Sequence, residues 1–142
     1  MIKGIDIGRN TVQLVTGTKD KSYYKTIYYD SITVRRDEIV LRKNDKWGII
    51  IMDDNLFIPP DKYDYISKFF NNIACIKINN KYGLINKKGE EITPIIYDSI
   101  KTDGKKMSTV IINNLIGYID DDGNIELERT LKIKKLKEKI NE

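Results

Sequence analysis

Residues 82–100 read Tyr-Gly-Leu-Ile-Asn-Lys-Lys-Gly-Glu-Glu-Ile-Thr-Pro-Ile-Ile-Tyr-Asp-Ser-Ile, and this stretch decides the fold because parts of it recur along the chain. The element Tyr-Asp-x-Ile begins at Tyr29, Tyr63 and Tyr97, with a spacing of 34 residues. A large apolar or aromatic residue followed by glycine occurs at Trp47, Tyr82 and Ile116, with spacings of 35 and 34 residues. Two independent markers that share one period indicate a repeat protein.

Each copy contains two short apolar runs that are separated by a polar pair. The pairs are Asn44-Asp45, Asn79-Asn80 and Asn113-Asn114. Asparagine tolerates the positive φ of a tight turn, so this layout predicts one β-hairpin in each copy. A second polar turn follows each hairpin, at 53–55, 86–89 and 120–123. An extended segment then leads to Tyr-Asp-x-Ile, and the prolines Pro59-Pro60 and Pro94 in it predict a strand end, an edge strand or a bend.

The pattern predicts one all-β domain over residues 1–142, made of about four three-stranded repeats of about 34 residues. The predicted units lie near 1–34, 35–68, 69–102 and 103–130. The first unit lacks the signature pair, which is typical of a capping repeat, and its strands are predicted at Ile2–Ile7, Thr11–Thr16 and Ser22–Tyr28. The units are expected to form a stacked or curved row, and a closed, barrel-like arrangement is the alternative.

The C-terminal segment 131–142 has a different pattern. Ile133, Leu136 and Ile140 fall at i, i+3 and i+7 in a stretch without Gly or Pro, which predicts a short helix that covers the last unit. The chain carries a net charge of +4, with 40% hydrophobic and 32% charged residues, as in an ordinary soluble domain. No secretory signal and no membrane-spanning run are predicted, and a cytoplasmic location is expected.

Catalytic and metal chemistry find little support in the sequence. The chain has no histidine, which excludes a Ser-His-Asp or Cys-His arrangement. Cys75 is the single cysteine, so an internal disulfide and a cysteine metal site are excluded, and a buried structural thiol is favoured. The acidic run 120–122 suggests calcium, but its glycine is fourth rather than sixth and a tight turn is favoured. We therefore expect no enzyme activity, no cofactor and no metal.

The repeat resembles a known family. Residues 46–50 and 81–89, followed by 94–100, are similar to the bacterial WG repeat, in which Trp-Gly, a glycine turn, a proline and Tyr-Asp-x-Ile follow one another. The resemblance implies a β-rich repeat module that serves as a binding scaffold and shares no catalytic residues. Residues 4–15 are separately similar to the first phosphate-binding hairpin of the actin and sugar-kinase superfamily, but nothing downstream supplies the two lobes of that fold.

Most marked positions are predicted to be structural. The aromatic residue of the signature should pack against the neighbouring unit, and the glycine after it should allow close approach of the backbone. The tyrosine of Tyr-Asp-x-Ile should bury its ring, with its hydroxyl hydrogen-bonded. The aspartate of the same motif should accept backbone N–H bonds at a turn. The structural signature comprises Tyr29, Asp30, Trp47, Gly48, Tyr63, Asp64, Tyr82, Gly83, Gly89, Tyr97, Asp98, Gly117 and Gly123.

Function is expected where the copies differ, in the turns, the segment 101–107 and the basic tail. The candidate partner-binding residues are Arg35, Arg36, Asp53, Asp54, Lys87, Lys88, Lys101, Lys105 and Lys106. The sequence favours a non-catalytic module that binds a protein, for example as an inhibitor or an immunity-type factor of a bacterium or phage with an AT-rich genome. A weakly basic nucleic-acid-binding repeat protein is the alternative. The oligomeric state is left open.

Overall fold

The computed structural model describes residues 2–102 and 108–126, and all the regular structure in these residues is β. The all-β class is therefore confirmed. The helix predicted for 131–142 and the lysines Lys105 and Lys106 lie outside the described residues. The described part of the chain contains no helix of the length and apolarity that a membrane crossing requires.

Four antiparallel sheets follow one another along the chain. The first contains β1 (Ile2–Ile7), β2 (Thr11–Thr18) and β3 (Lys21–Tyr28). The second contains β4 (Ser31–Arg35), β5 (Glu38–Lys43), β6 (Lys46–Ile51) and β7 (Leu56–Tyr63). The third contains β8 (Tyr65–Ile66), β9 (Ile73–Ile78) and β10 (Lys81–Asn86), and the fourth β11 (Ser99–Lys101), β12 (Ser108–Ile112), β13 (Leu115–Ile119) and β14 (Ile125–Glu126). The first two sheets belong to one compact unit and the last two to another, with the division between Asp64 and Tyr65.

The polar pairs form the predicted hairpin turns. Both residues of each pair have positive φ, between 49° and 65° in the third sheet and between 50° and 64° in the fourth. This conformation lets a two-residue turn match the right-handed twist of its strands. Asn55, Gly89 and Gly123 take the predicted positive φ in the second turn, at 51°, 79° and 87°.

The Tyr-Asp-x-Ile element connects one sheet to the next. The backbone N–H of Tyr29 donates a hydrogen bond to the carbonyl of Asn10 in the first sheet, whereas Ser31 and Ile32 are the first residues of β4 in the second sheet. In the later copy, Tyr97 bridges to Tyr82 of the third hairpin before the fourth sheet begins. The last two residues of the motif pair with the hairpin that follows them, in β4, β8 and β11. The second and fourth sheets also have a strand after the hairpin, so they have four strands instead of the three expected.

The prolines Pro59 and Pro60 lie in a wide bulge of the edge strand β7. Ile49 pairs with Ile58 and Trp47 pairs with Tyr63, so the residues between Ile58 and Tyr63 have too few partners on β6. Proline has no backbone N–H, and its presence in the bulge leaves fewer donors unpaired. The prediction of an edge strand or bend at this point is confirmed.

The two sheets of each unit share an apolar core. In the first unit the buried core residues are Val12, Leu14, Tyr29, Ile39, Leu41 and Ile50. In the second unit they are Ile73, Cys75, Leu84, Tyr97, Val110 and Ile119. Each core draws residues from both sheets of its unit, so the repeated tyrosine is placed where consecutive sheets meet.

Candidate functional site

The glycine of the signature is required by close packing of the backbone. A Cβ atom on Gly48 would lie 2.4 Å from the carbonyl oxygen of Ile58 and 2.7 Å from the nitrogen of Pro60. A Cβ atom on Gly83 would lie 2.9 Å from the Ile95 side chain. The predicted close approach is confirmed at both positions: the bulged segment of β7 lies against Gly48, and the segment around Pro94 and Ile95 lies against Gly83.

The aspartate of the connecting motif fixes the turn of the following hairpin. An Asp30 carboxylate oxygen accepts the amide N–H of Asn44 at 2.7 Å, and Asp98 accepts that of Asn113 at 2.9 Å. In each case the donor is the first residue of the next hairpin turn. The expected role as an acceptor of backbone N–H bonds at a turn is therefore confirmed for these two aspartates.

Two aspartates of the motif also bind back to the preceding hairpin. Lys46 donates to Asp64 at 2.5 Å, and Lys81 donates to Asp98. The hydrogen bond from the Lys81 ammonium, with the backbone bond from Asn113, holds the pKa of Asp98 below its ordinary value. Asp98 therefore contacts both the hairpin before it and the hairpin after it.

The aromatic residues of the signature are half-buried beside a cation on the neighbouring strand. The Arg42 guanidinium lies 5.3 Å from the centre of the Trp47 ring, and the Lys77 ammonium lies 5.4 Å from that of Tyr82. Arg42 pairs with Trp47 and Lys77 with Tyr82 in the ladders. Tyr82 also packs against the core that the third and fourth sheets share, as expected for a residue that joins neighbouring repeats.

The basic and acidic candidates of the second sheet lie at one end of it. Arg35 donates to the buried Glu38 carboxylate at 2.8 Å across the β4–β5 turn, and Arg36 has a φ of 55° in that turn. Asp53 and Asp54 are exposed in the β6–β7 turn, which a meander places at the same end. Opposite charges in neighbouring turns do not make a single-sign surface for nucleic acid.

The candidates of the second unit are dispersed along its chain. Lys101 is exposed at the end of β11, and Lys88 is exposed in the turn after β10. Lys87, in the same turn, is only half-buried. The structure does not bring Lys101 next to these two lysines by strand pairing in the described ladders.

The acidic turn at 120–123 is closed by its own backbone. Asp120 accepts the amides of Asp122 and Asn124, both at 2.9 Å, and hydrogen bonds from Asn124 lower the pKa of its carboxyl. Asn86 accepts the amides of Lys88 and Glu90 in the same way in the third copy, at 3.0 Å each. The Asp120 carboxylate thus accepts the same backbone hydrogen bonds as the Asn86 side-chain amide oxygen in the third copy. This equivalence supports a role for Asp120 in closing the turn rather than in binding a metal. In the described residues no cluster of His, Cys, Asp or Glu is arranged to hold a metal.

Strand β3 carries three exposed tyrosines, and none of its residues is among the candidates that the sequence indicated. Tyr23, Tyr24 and Tyr28 are 53%, 68% and 70% exposed, and the Lys21 ammonium lies 5.4 Å from the centre of the Tyr23 ring. Side chains alternate along a strand, so Tyr24 and Tyr28 share one face of β3 and Tyr23 lies on the other. Scattered exposed apolar residues are normal, but exposed tyrosines concentrated on one strand are of the kind that interfaces use. The signal in the sequence is the occurrence of three tyrosines and two lysines within residues 21–28.

β3 is also an open edge. It pairs only with β2 among the described strands. Because the Tyr29 amide bonds Asn10, the alternation of an antiparallel ladder leaves the backbone groups of Tyr24, Thr26 and Tyr28 facing away from β2. Tyrosine side chains and unpaired backbone donors and acceptors therefore lie together on this strand, within reach of an added strand.

A cleft of about 260 Å³ lies between β3 and the bulge of β7. Its lining residues are Lys25, Ile27, Tyr29, Lys43, Phe57, Pro59, Pro60 and Asp61. Lys25 and Ile27 come from the core-side face of β3, since they pair with the buried Leu14 and Val12. The cleft exists because the first copy has a regular strand at the place where the second has a proline bulge.

Tyr29 is the unusual residue of this cleft. The tyrosine of the motif is buried in all three copies, at 5% exposure, and burial raises the pKa of Tyr29 and Tyr97. The hydroxyl of Tyr29 is buried and has no hydrogen-bond partner in the described part of the chain. The expectation that this hydroxyl is bonded is wrong, and an unpaired buried polar group costs about 1–3 kcal/mol.

These features define a β-repeat protein whose copies are joined by one recurring connection. The family model described as a WG containing repeat matches residues 47–82 and 82–115, and both matches begin on an aromatic residue of the signature. Residues 47–115 therefore consist of two consecutive WG repeats, as the resemblance of the motifs predicted. No curated protein and no solved structure matched the chain.

Proposed function

We propose that this protein is a non-catalytic module that binds a protein partner through the open edge of β3. The observation that carries the proposal is the exposure of Tyr23, Tyr24 and Tyr28 on a strand whose outer backbone groups are unpaired in the described ladders. Tyrosine is enriched at protein interfaces because it supplies a large apolar ring with a polar end.

Strand addition explains how such an edge would bind. An extended segment of the partner would pair with the backbone of Tyr24, Thr26 and Tyr28, and the tyrosine rings would cover its side chains. Main-chain hydrogen bonds supply affinity in this mode, and side-chain contacts supply specificity. If the segment is part of the partner's working surface, the module would act as an inhibitor or an immunity-type factor.

The chemistry of the described residues supports a role without catalysis. The sequence contains no histidine. The pKa values of Asp98 and Asp120 are lowered, and both carboxylates accept hydrogen bonds in turns. The groups whose pKa burial raises, Tyr29, Cys75 and Tyr97, are core side chains. General acid–base catalysis works best with a group whose pKa is matched to proton transfer near neutral pH.

Single-stranded nucleic acid is the second candidate partner, and the same strand favours it. Lys21 and Lys25 lie close to the exposed tyrosines in β3, and stacking on aromatic rings beside cations is how sequence-tolerant binders hold single strands. The two candidates differ in salt dependence. Phosphate contacts weaken steeply as salt rises, whereas a strand-paired protein interface is affected far less.

The test is affinity capture with the full chain from the native host at low and high salt. We compare the wild type with a Tyr24→Ser/Tyr28→Ser double variant and with Val34→Ser as the control. Val34 is 61% exposed on β4 and lies outside the proposed edge. We expect a specific protein that stays bound at high salt, is lost with the double variant and is retained by the control.

Two outcomes would overturn the proposal. A partner retained equally by the double variant would place binding elsewhere on the chain. Capture of nucleic acid alone, with affinity that falls steeply with salt and with charge removal at Lys21 and Lys25, would favour the second candidate. Circular dichroism of each variant checks that the substitutions leave the β fold intact.

A further inference from the structure

The cleft beside β3 has a size that suits one chemical group. Pockets for drug-sized ligands measure about 300–1,000 Å³, and this cleft, at about 260 Å³, lies just below that range. A nucleotide or a large cofactor would exceed it. A single ring with a short chain, or one amino-acid side chain, is the scale of occupant that the volume accommodates.

The lining of the cleft divides into an apolar and a charged part. Ile27, Phe57 and the two prolines provide apolar walls, whereas Lys25 and Lys43 outnumber Asp61. Both lysines are exposed, and neither ammonium takes part in the described hydrogen bonds and ion pairs. Two cations against one anion favour an occupant with a negative group.

The buried hydroxyl of Tyr29 supplies the second, independent observation. Tyr29 lines the cleft, is 5% exposed, and its hydroxyl lacks a partner in the described residues. A phenol donates well to a carboxylate, and such a charge-assisted bond would offset the desolvation that the free protein leaves uncompensated. Buried polar groups without partners are rare enough that each requires a reason.

We propose that this cleft is a binding site for a carboxylate carried on a small apolar body, with Tyr29 donating to the carboxylate, Lys25 and Lys43 neutralising it, and Phe57 and the prolines contacting the apolar part. Such a group occurs in a free aromatic or branched acid, and also at the end of a protein segment. The second source extends the proposed function, since a segment paired with β3 would place one residue in this cleft.

The site is tested without the partner, by nuclear magnetic resonance titration of the full chain with 3-phenylpropanoate. The neutral amide of the same acid is the matched probe. We expect saturable shifts at residues 25–29 and 57–61, with the acid binding at least about five-fold more tightly than the amide. The Lys25→Gln/Lys43→Gln double variant should reduce that preference, whereas Lys101→Gln, in the second unit, should leave it unchanged.

Tyr29→Phe separates binding from folding. Removing the unpaired hydroxyl should leave the melting temperature unchanged or raise it, and should weaken the acid about ten-fold. Tyr97→Phe, the same tyrosine in the third copy, should not alter the titration. Equal affinity of the acid and the amide, or an unchanged affinity in Tyr29→Phe, would overturn the proposal.

A competition arm distinguishes the two sources of the carboxylate. If 3-phenylpropanoate in excess displaces the captured partner, a residue of that partner occupies the cleft. If the acid fills the cleft while the partner stays bound, the natural occupant is a free acid. The titration keeps its meaning when no partner is captured, so failure of the proposed function does not imply failure of the site.

Discussion

Single residues show how much of this fold depends on a missing side chain. Gly48 is buried, and the carbonyl of Ile58 and the ring nitrogen of Pro60 occupy the space where a Cβ atom would lie. The signature glycine is therefore a packing requirement of the proline bulge on the adjacent strand. Pro59 and Pro60 of the bulge line the cleft, so the glycine that the bulge packs against shapes the candidate site indirectly.

Gly48→Ala should lower the free energy of unfolding by about 2 kcal/mol, because the added methyl group overlaps backbone atoms that are held by the ladder. Urea unfolding measures the change. Gly4→Ala is the control, since its nearest contact would be 3.8 Å from a Val15 side-chain atom. Similar stability of the two variants would contradict the close approach of β7 to β6.

Because of Cys75, the stability of the fold is expected to fall at alkaline pH. Burial raises the pKa of the Cys75 thiol from 9.0 to about 12. The contribution of the protonated thiol to the free energy of unfolding is therefore fully present below pH 9 and is lost as the pH rises toward 12. We expect the wild type to lose up to about 1.4 kcal/mol per pH unit in that window relative to Cys75→Ala. The comparison of the two proteins cancels the tyrosines, which also titrate there. Parallel stability curves would show that the thiol is accessible to water.

At the scale of elements, the sequence predicted the hairpins well because each is fixed by local chemistry. The Asn pairs require positive φ, and the apolar runs on either side have β-branched residues. The sequence predicted a strand end, an edge or a bend at Pro59-Pro60, but the cleft and the open edge of β3 were not predicted, since each depends on segments distant in the chain. The two lysines and three tyrosines of β3 are close together in the sequence, but only the structure shows that the tyrosines are exposed.

Asn80→Ala should destabilise the third hairpin by about 1 kcal/mol, because its φ of 65° is unfavourable for a residue with an ordinary side chain. Asn80→Gly should be neutral or slightly stabilising, since glycine adopts this conformation freely. Thermal unfolding of the two variants provides the measurement. A glycine variant as unstable as the alanine variant would mean that the asparagine side chain, rather than its backbone, stabilises the turn.

At the scale of the whole molecule, the recurring Tyr-Asp-x-Ile motifs are structural, whereas the proposed binding sites lie where the copies differ. The Tyr-Asp-x-Ile connection repeats because it joins consecutive sheets, with the tyrosine in the core and the aspartate on the next turn. The first copy departs from this pattern by keeping β3 regular and exposed beside a bulged neighbour. Its tyrosine, Tyr29, lines a cleft, and the Tyr29 hydroxyl has no hydrogen-bond partner among the described residues. The sequence predicts that function lies where the copies differ and names the turns, the segment 101–107 and the basic tail, whereas the proposed sites lie on β3 and in the cleft beside it.

The open edge of β3 can be examined directly by hydrogen–deuterium exchange of the full chain with and without its captured partner. Strand addition should slow exchange at Tyr24, Thr26 and Tyr28, whose amides face away from β2, and change the hairpins of the second unit little. Protection centred on the turns at 53–55 or 86–89, with β3 unchanged, would contradict the account.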